Sequence, residues 1–115
     1  MVKLNSGRAD MNKRKDLLDS VRNMYFDTRD RKCKTFLNRL CRYYKQTDYE
    51  TGRKHGEIFR SLYLTEKPPT YDELSAQYYI DAYTLDRYRQ RYNRLAEYLI
   101  SDELLKQINT ANTVR

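Results

Sequence analysis

The chain has 115 residues, a formal net charge of +7 at pH 7, and only three glycines and two prolines. A Lys/Arg/Leu-rich chain of this length, without alternating β-branched runs, favours one all-α domain. The sequence is charged from Lys3 onward and has no long apolar run, which argues against a secretory signal or a membrane span, so we expect a cytoplasmic protein. The basic excess favours anionic partners, nucleic acid before a membrane surface, although it also fits a merely soluble surface.

The predicted architecture is a compact bundle of five to six helices. Residues 1–9 are expected to form a flexible arm, residues 10–108 a single helical domain, and residues 109–115 a frayed tail. The first helix is predicted over about Asp10 to Phe26. Its apolar positions recur at helical spacing: Leu17, Leu18, Val21, Met24 and Tyr25.

A second helix is predicted to run to about Gln46, after a stop and a new N-cap at Asp27-Thr28. Its inward positions are Cys33, Phe36, Leu37, Leu40, Cys41 and Tyr44. Its other face is basic: Arg29, Arg31, Lys32, Lys34, Arg39, Arg42 and Lys45. The two cysteines lie about 12 Å apart on one helix, which excludes a disulfide between them. The basic face of this helix, residues 29–45, either contacts nucleic acid, RNA included, or simply keeps the helix solvated.

After a predicted loop over residues 47–52, a third helix is expected from about Lys54 to Thr65, with Pro68 and Pro69 beyond it. Its inward residues are Ile58, Phe59, Leu62 and Tyr63. Thr70 and Glu73 match a capping box at the start of a fourth helix. A turn near Tyr79 to Asp81 leads into a fifth helix over residues 82–99, and a last short helix carries Leu104, Leu105 and Ile108.

The fourth and fifth helices have the spacing of a helix-turn-helix, over about residues 70–99. Leu74 and Tyr78 share one face of the short helix. The apolar positions of the long helix are Leu85, Tyr88, Tyr92, Leu95 and Leu99. A tyrosine disfavours a left-handed turn, so Tyr79 predicts a turn that is longer or differently shaped.

An ordered set of motifs runs through residues 55–100: Tyr63-Leu64-Thr65-Glu66-Lys67-Pro68, Tyr71-Asp72-Glu73-Leu74, Ile80-Asp81, Thr84-Leu85, Arg87-Tyr88-Arg89 and Leu95-Ala96-Glu97-Tyr98-Leu99. This segment resembles the helix-turn-helix of bacterial sigma-factor region four, in the variant carried by small phage-type transcriptional regulators. The resemblance implies that the second helix reads the major groove beside a promoter or operator. It also implies double-stranded DNA as the partner, with RNA polymerase or a second copy of the chain as a further one.

The outward positions of the fifth helix supply the candidate DNA contacts. Arg87 and Gln90 are suited to guanine and adenine edges. Tyr83 is suited to a thymine methyl or a phosphate. Phosphate anchors are predicted at Arg89, Arg91 and Arg94. Asp86 is expected either to repel phosphate or to pair with Arg89 or Gln90.

Residues typical of an enzyme site are scattered. His55 is the only histidine, and its polar neighbours predict a surface position. Cys33, Cys41 and His55 lack zinc-binding spacing, and the isolated glycines form no phosphate loop. We therefore expect no enzyme, no cofactor, no metal and no small-molecule substrate.

The leading interpretation is a sequence-specific DNA-binding transcriptional regulator of phage or mobile-element origin. The alternatives are a protein-interaction module on the same scaffold without DNA binding, an accessory protein of viral DNA packaging or replication, and an RNA binder that uses residues 29–45.

Overall fold

The structure is a computed structural model that describes residues 17–114, with side chains through residue 111. The predicted arm and the first part of the predicted first helix lie outside these residues. Six helices and no strand occupy the described range, which confirms the all-α class. They are α1 (Leu17–Thr28), α2 (Arg31–Thr51), α3 (His55–Tyr63), α4 (Tyr71–Tyr78), α5 (Ala82–Leu99) and α6 (Asp102–Val114).

One buried apolar cluster joins all six helices. Leu18 and Val21 enter it from α1, and Leu74 enters it from α4. The six apolar positions predicted for α2 are all buried, as are the four predicted for α3, because helical spacing places each set on a single face. The basic positions predicted on α2 are all exposed. The bundle therefore has a single core, and α2 crosses it with one apolar and one basic face.

The N-cap of α2 is Asp30, and the predicted cap at Thr28 is wrong. The Asp30 carboxylate accepts a hydrogen bond from the Cys33 N–H at 3.1 Å, whereas the Thr28 hydroxyl donates to the Met24 carbonyl inside α1. Arg29, between them, has a φ of 57°. This left-handed residue turns the chain sharply, so α2 starts after only two connecting residues.

Helix α2 also runs further than the sequence predicts, because residues 47–51 are helical. The hydroxyls of Thr47 and Thr51 donate to the carbonyls of Tyr44 and Thr47 within the helix, at 2.9 and 3.0 Å. The helix ends at Gly52, whose φ of 75° suits glycine and whose N–H donates to the Asp48 carbonyl. Glycine, and not the preceding threonines, marks the end of this helix.

Helix α3 starts against the backbone of α2 at Gly56. A Cβ added there would lie 2.6 Å from Lys45 Cγ and 3.1 Å from the Lys45 backbone nitrogen. The Gly56 N–H donates to Asp48 Oδ2 at 2.6 Å. The missing side chain therefore allows α3 to approach α2 closely, and the carboxylate satisfies an N–H group of the first turn.

Two predicted caps are confirmed around α4 and α5. Thr70 and Glu73 form the reciprocal capping box of α4, and Asp81 Oδ1 accepts from the Thr84 N–H at 2.7 Å to cap α5. Between the helices, Tyr79 adopts a left-handed conformation, with φ 58° and ψ 43°. The expected longer or differently shaped turn is thus wrong, since tyrosine takes the conformation that glycine usually supplies. Its side chain is 92% exposed, so its ring adds little packing there.

Helix α6 continues to Val114, through most of the predicted tail, where no glycine or proline interrupts it. Two contacts hold α6, one to the connection between α1 and α2 and one to α2 itself. Gln107 donates to Asp30 Oδ2 at 2.6 Å, and Lys32 pairs with Glu103 at 2.7 Å. The Gln107 bond also helps to keep the pKa of Asp30 low, against the effect of burial.

We expect Tyr79→Gly to stabilise the fold by about 0.5–1 kcal/mol, because a left-handed conformation costs an L-residue about 1–2 kcal/mol and costs glycine little. Urea unfolding should show a higher midpoint with an unchanged slope. Tyr79→Ala is the matched control, since it removes the same ring but keeps the Cβ. Equal stabilisation by both changes would place the effect in the ring and contradict the proposed backbone strain.

Candidate nucleic-acid interface

Tyr92 fixes one side of α5 against α2 and α3. Its ring is fully buried, with its centroid 4.8 Å from that of Tyr44 and 5.6 Å from that of Phe59. Its hydroxyl lies 2.7 Å from His55 Nδ1, so the polar end of the ring is satisfied in the interior. Rotation of α5 about its axis would break this bond and the aromatic packing together.

The surface position predicted for His55 is wrong, because the residue is only 7% exposed. Its ring packs edge-on against Tyr88 with centroids 4.5 Å apart. Burial is the main cause that lowers the pKa of His55 below 6.5, with Arg91 and Arg53 adding to it and Asp48 opposing it. The available signal was periodicity, since His55 precedes Ile58 by three residues and shares its face of α3.

Asn93, the next residue of α5, fixes the helix against α1 and α3. It is 2% exposed, and its Oδ1 accepts from the Leu18 N–H at 2.9 Å. Its Nδ2 donates to the Arg89 carbonyl at 2.9 Å and to the Tyr63 hydroxyl at 3.4 Å. The amide thus satisfies a backbone donor in the first turn of α1. The sequence carries no signal that distinguishes this asparagine from a surface one.

Arg89, predicted as a phosphate anchor, is used inside the fold. Its side chain is 23% exposed and donates to the Tyr71 hydroxyl at 3.0 Å, and it pairs with Asp19 at 3.3 Å. Burial alone lowers the pKa of Arg89, but the bond to Tyr71 and the neighbouring Asp19 raise it overall. The residue joins α5 to α1 and α4, so we remove it from the candidate DNA contacts.

The other predicted cations of α5 point outward. With two tyrosines they form what we call the Tyr–Arg stripe: Tyr83, Arg87, Arg91, Arg94 and Tyr98. The spacings of three and four residues place all five on one face. The guanidinium of Arg87 lies 5.9 Å from the Tyr83 ring centroid, a cation–π distance, whereas Arg91 and Arg94 make no hydrogen bond or ion pair within residues 17–111.

Gln90 lies beside the stripe and is partly buried. Its Nε2 donates to Asp86 Oδ2 at 2.9 Å, which is one of the two pairings expected for Asp86. Bidentate contact with adenine needs both the oxygen and the nitrogen of the amide. The bond to Asp86 uses one of the two N–H donors of this amide, which leaves the second N–H and Oε1 for a base.

The basic face of α2 is partly engaged within the protein. Lys32 is held by Glu103, and the Arg29 guanidinium lies over the Tyr25 and Phe26 rings, 5.5 Å from each centroid. The exposed cations of α2 whose side chains make no hydrogen bond or ion pair within the described residues are Arg31, Lys34, Arg39, Arg42 and Lys45. They form a second positive surface.

Other kinds of site find little support in residues 17–114. No group of three or more histidine, cysteine or acidic side chains converges there as a metal site, and no helix in this range has the length and apolarity to cross a membrane. Both cysteines are free and buried; burial raises the pKa of Cys33 to about 12 and also raises that of Cys41. Neither thiol is therefore an activated nucleophile near neutral pH.

Comparison with models of protein families, with curated protein sequences and with solved structures gives no match. The likeness to sigma-factor region four therefore depends on the motifs quoted above. The helix-turn-helix remains a prediction, and the geometry of α5 carries the functional argument.

We expect Arg89→Ala to destabilise the protein by about 1.5–3 kcal/mol, because it removes the charged group that pairs with Asp19 and donates to the Tyr71 hydroxyl. Arg94→Ala is the control on the same helix and should change stability by less than about 0.5 kcal/mol, since Arg94 is exposed. Urea unfolding at neutral pH measures both. Equal effects would show that the Arg89 contacts add nothing to stability.

His55 predicts a pH dependence of stability. Because the folded-state pKa lies below 6.5, the neutral ring is favoured by the fold, and its contribution is complete above pH 6.5. It should be lost as the pH falls from 6.5 through the folded-state pKa. His55→Gln removes the titrating group, and its stability curve should be flatter than that of the wild type as the pH falls below 6.5. If the stability curves of the variant and the wild type run parallel, the pH dependence does not come from His55.

Proposed function

We propose that this protein is a sequence-specific DNA-binding transcriptional regulator of phage or mobile-element origin. The observation that carries the proposal is the Tyr–Arg stripe, in which three exposed arginines and two exposed tyrosines share one face of α5. A helix of this kind fits the major groove when its opposite face is held by the rest of the domain. Tyr92 and Asn93 supply that support.

The stripe divides into two parts by position along α5. Tyr83 and Arg87 lie in its first half, where recognition helices contact base edges. Arg87 is suited to guanine, at about 1–3 kcal/mol of discrimination. Arg91 and Arg94 lie further along and are suited to phosphates, which supply affinity without sequence information. Gln90 is a second base reader through its remaining N–H and Oε1, while its other N–H donates to Asp86.

The proposed DNA-binding function implies further partners. A single helix-turn-helix usually binds DNA too weakly to act alone, so we propose a second copy of the chain or RNA polymerase as the further partner. The exposed cations of α2 are a candidate surface for additional phosphate contacts. A cytoplasmic setting, where such DNA is found, belongs to the same proposal.

A protein-interaction module is the second candidate function. The observation in its favour is the exposure of three tyrosines around α5, since Tyr79, Tyr83 and Tyr98 are 92%, 70% and 85% exposed. Tyrosine is enriched at protein interfaces. Asp81 and Asp86 also give the start of α5 an acidic character that opposes phosphate.

The decisive experiment compares Arg87→Ala with Arg94→Ala on a selected duplex and on random duplex at several salt concentrations. Arg87→Ala should reduce the preference for the selected duplex by about 1–3 kcal/mol. Arg94→Ala should weaken both duplexes about equally and lower the slope of log K against log salt by about one. The two arginines share one helix and one face, so each controls for the other.

Two outcomes would count against the proposal. If the wild type shows no salt-sensitive duplex binding while folded, the protein-interaction module replaces it. If Arg87→Ala combined with Gln90→Ala leaves the sequence preference intact, α5 is not the reading helix.

A further inference from the structure

A cavity lies between the C-terminal half of α2, the start of α3 and the middle of α5. Its volume is about 340 Å³, which is in the range of small-molecule sites. Polar side chains from all three helices and from the α2–α3 connection line it: Tyr43, Thr47, Thr51, Arg53, His55 and Arg91. The predicted DNA contacts include only one of these residues, Arg91.

Two arginines, Arg53 and Arg91, line this cavity. Arg53 and Arg91 both lie close enough to His55 to lower its pKa. Both side chains are exposed, and neither makes a hydrogen bond or an ion pair through its guanidinium in the described part of the chain. Asp48 is not a lining residue: its Oδ2 accepts from the Gly56 N–H, and its nearby charge raises the pKa of His55 against the effect of the two arginines. The cavity therefore presents two available charged forks without an acidic lining residue, an arrangement suited to a phosphate group.

The walls of the cavity suit the remainder of a nucleotide. Tyr43 is half exposed, and its ring meets Tyr44 edge-on, with centroids 5.2 Å apart and an angle of 77° between the rings. Edge-on packing leaves a face of the Tyr43 ring available for stacking. Leu95 adds an apolar wall. The hydroxyls of Thr47 and Thr51 already donate to backbone carbonyls, so toward a ligand they act as acceptors.

We propose that this cavity binds a nucleotide, with its phosphate between Arg53 and Arg91 and its base or sugar against Tyr43 and Leu95. The nucleotide is either free or part of a nucleic acid strand that lies along α5. Binding of a free nucleotide goes beyond the proposed function, whereas binding of a strand deepens it and rests on it. Arg91 also belongs to the Tyr–Arg stripe, so a free nucleotide would compete with DNA for this one side chain.

The first arm of the test titrates the purified full chain with adenosine monophosphate, inorganic phosphate and adenosine, using calorimetry and the NMR signals of the protein. For a free nucleotide we expect saturable binding of the monophosphate that is tighter than binding of either fragment. Arg53→Ala should weaken it at least tenfold, and Arg53→Lys should fall between Arg53→Ala and the wild type, because lysine keeps the charge but loses the fork. Arg60→Ala is the matched control, being an exposed arginine of α3 that lies outside both the cavity and the basic face of α2.

The second arm measures duplex and single-stranded DNA binding by the same variants. If a strand supplies the nucleotide, Arg53→Ala should weaken all sequences about equally and lower the salt slope by about one relative to Arg60→Ala. The proposal is overturned if Arg53→Ala matches Arg60→Ala in both arms. If the protein binds the monophosphate through Arg53 but does not bind duplex DNA, the nucleotide cavity is supported and the proposed DNA-binding regulator is rejected. Sequence-specific duplex binding that depends on Arg87 and not on Arg53 would support the proposed regulator and reject the nucleotide cavity.

Discussion

The direction in which α5 presents its surface depends on two consecutive buried residues. Tyr92 is packed against α2 and α3 and bonded to His55, while Asn93 accepts from the α1 backbone and donates to Tyr63. Neighbouring residues on a helix point about 100° apart. Their two sets of partners therefore hold α5 from two directions, and a rotation that relieved one set would break the other. The outward position of the Tyr–Arg stripe is a consequence of this pair.

Position on the helix, and not residue type, decides what each arginine of α5 does. Arg89 lies on the side of Asn93 and is drawn into contact with Asp19 and Tyr71, where it stabilises the junction of three helices. Arg94 lies almost opposite, is exposed, and its side chain makes no hydrogen bond or ion pair within the described residues. Charge counts that treat these arginines alike overestimate the positive surface available to DNA, because a paired, half-buried guanidinium contributes little to counterion release.

Sequence periodicity predicted the core of α2 and α3 correctly, because each apolar residue lies on one face and burial follows from spacing alone. It failed at Asn93, a polar group that is buried through a distant partner, because its amide accepts from Leu18, far away in sequence. At His55 the spacing to Ile58 did indicate the inward face, but the polar neighbours of His55 were given more weight. The left-handed conformation of Tyr79 was missed because local preference disfavours it, whereas in the fold this residue is the C-cap of α4, two positions before the Asp81 cap of α5.

The acidic start of α5 acquires a different meaning once its bonds are known. Asp81 is used as the cap, and its bonds to Thr84 hold its pKa low, so its charge also complements the positive end of the helix dipole. Asp86 holds the amide of Gln90. A phosphate is therefore disfavoured near the first turn and favoured further along, beside Arg91 and Arg94. For a helix that enters the major groove, this change from acidic to basic side chains along α5 directs the first turn toward base edges and the later turns toward the DNA backbone. Recognition of a DNA sequence requires this arrangement.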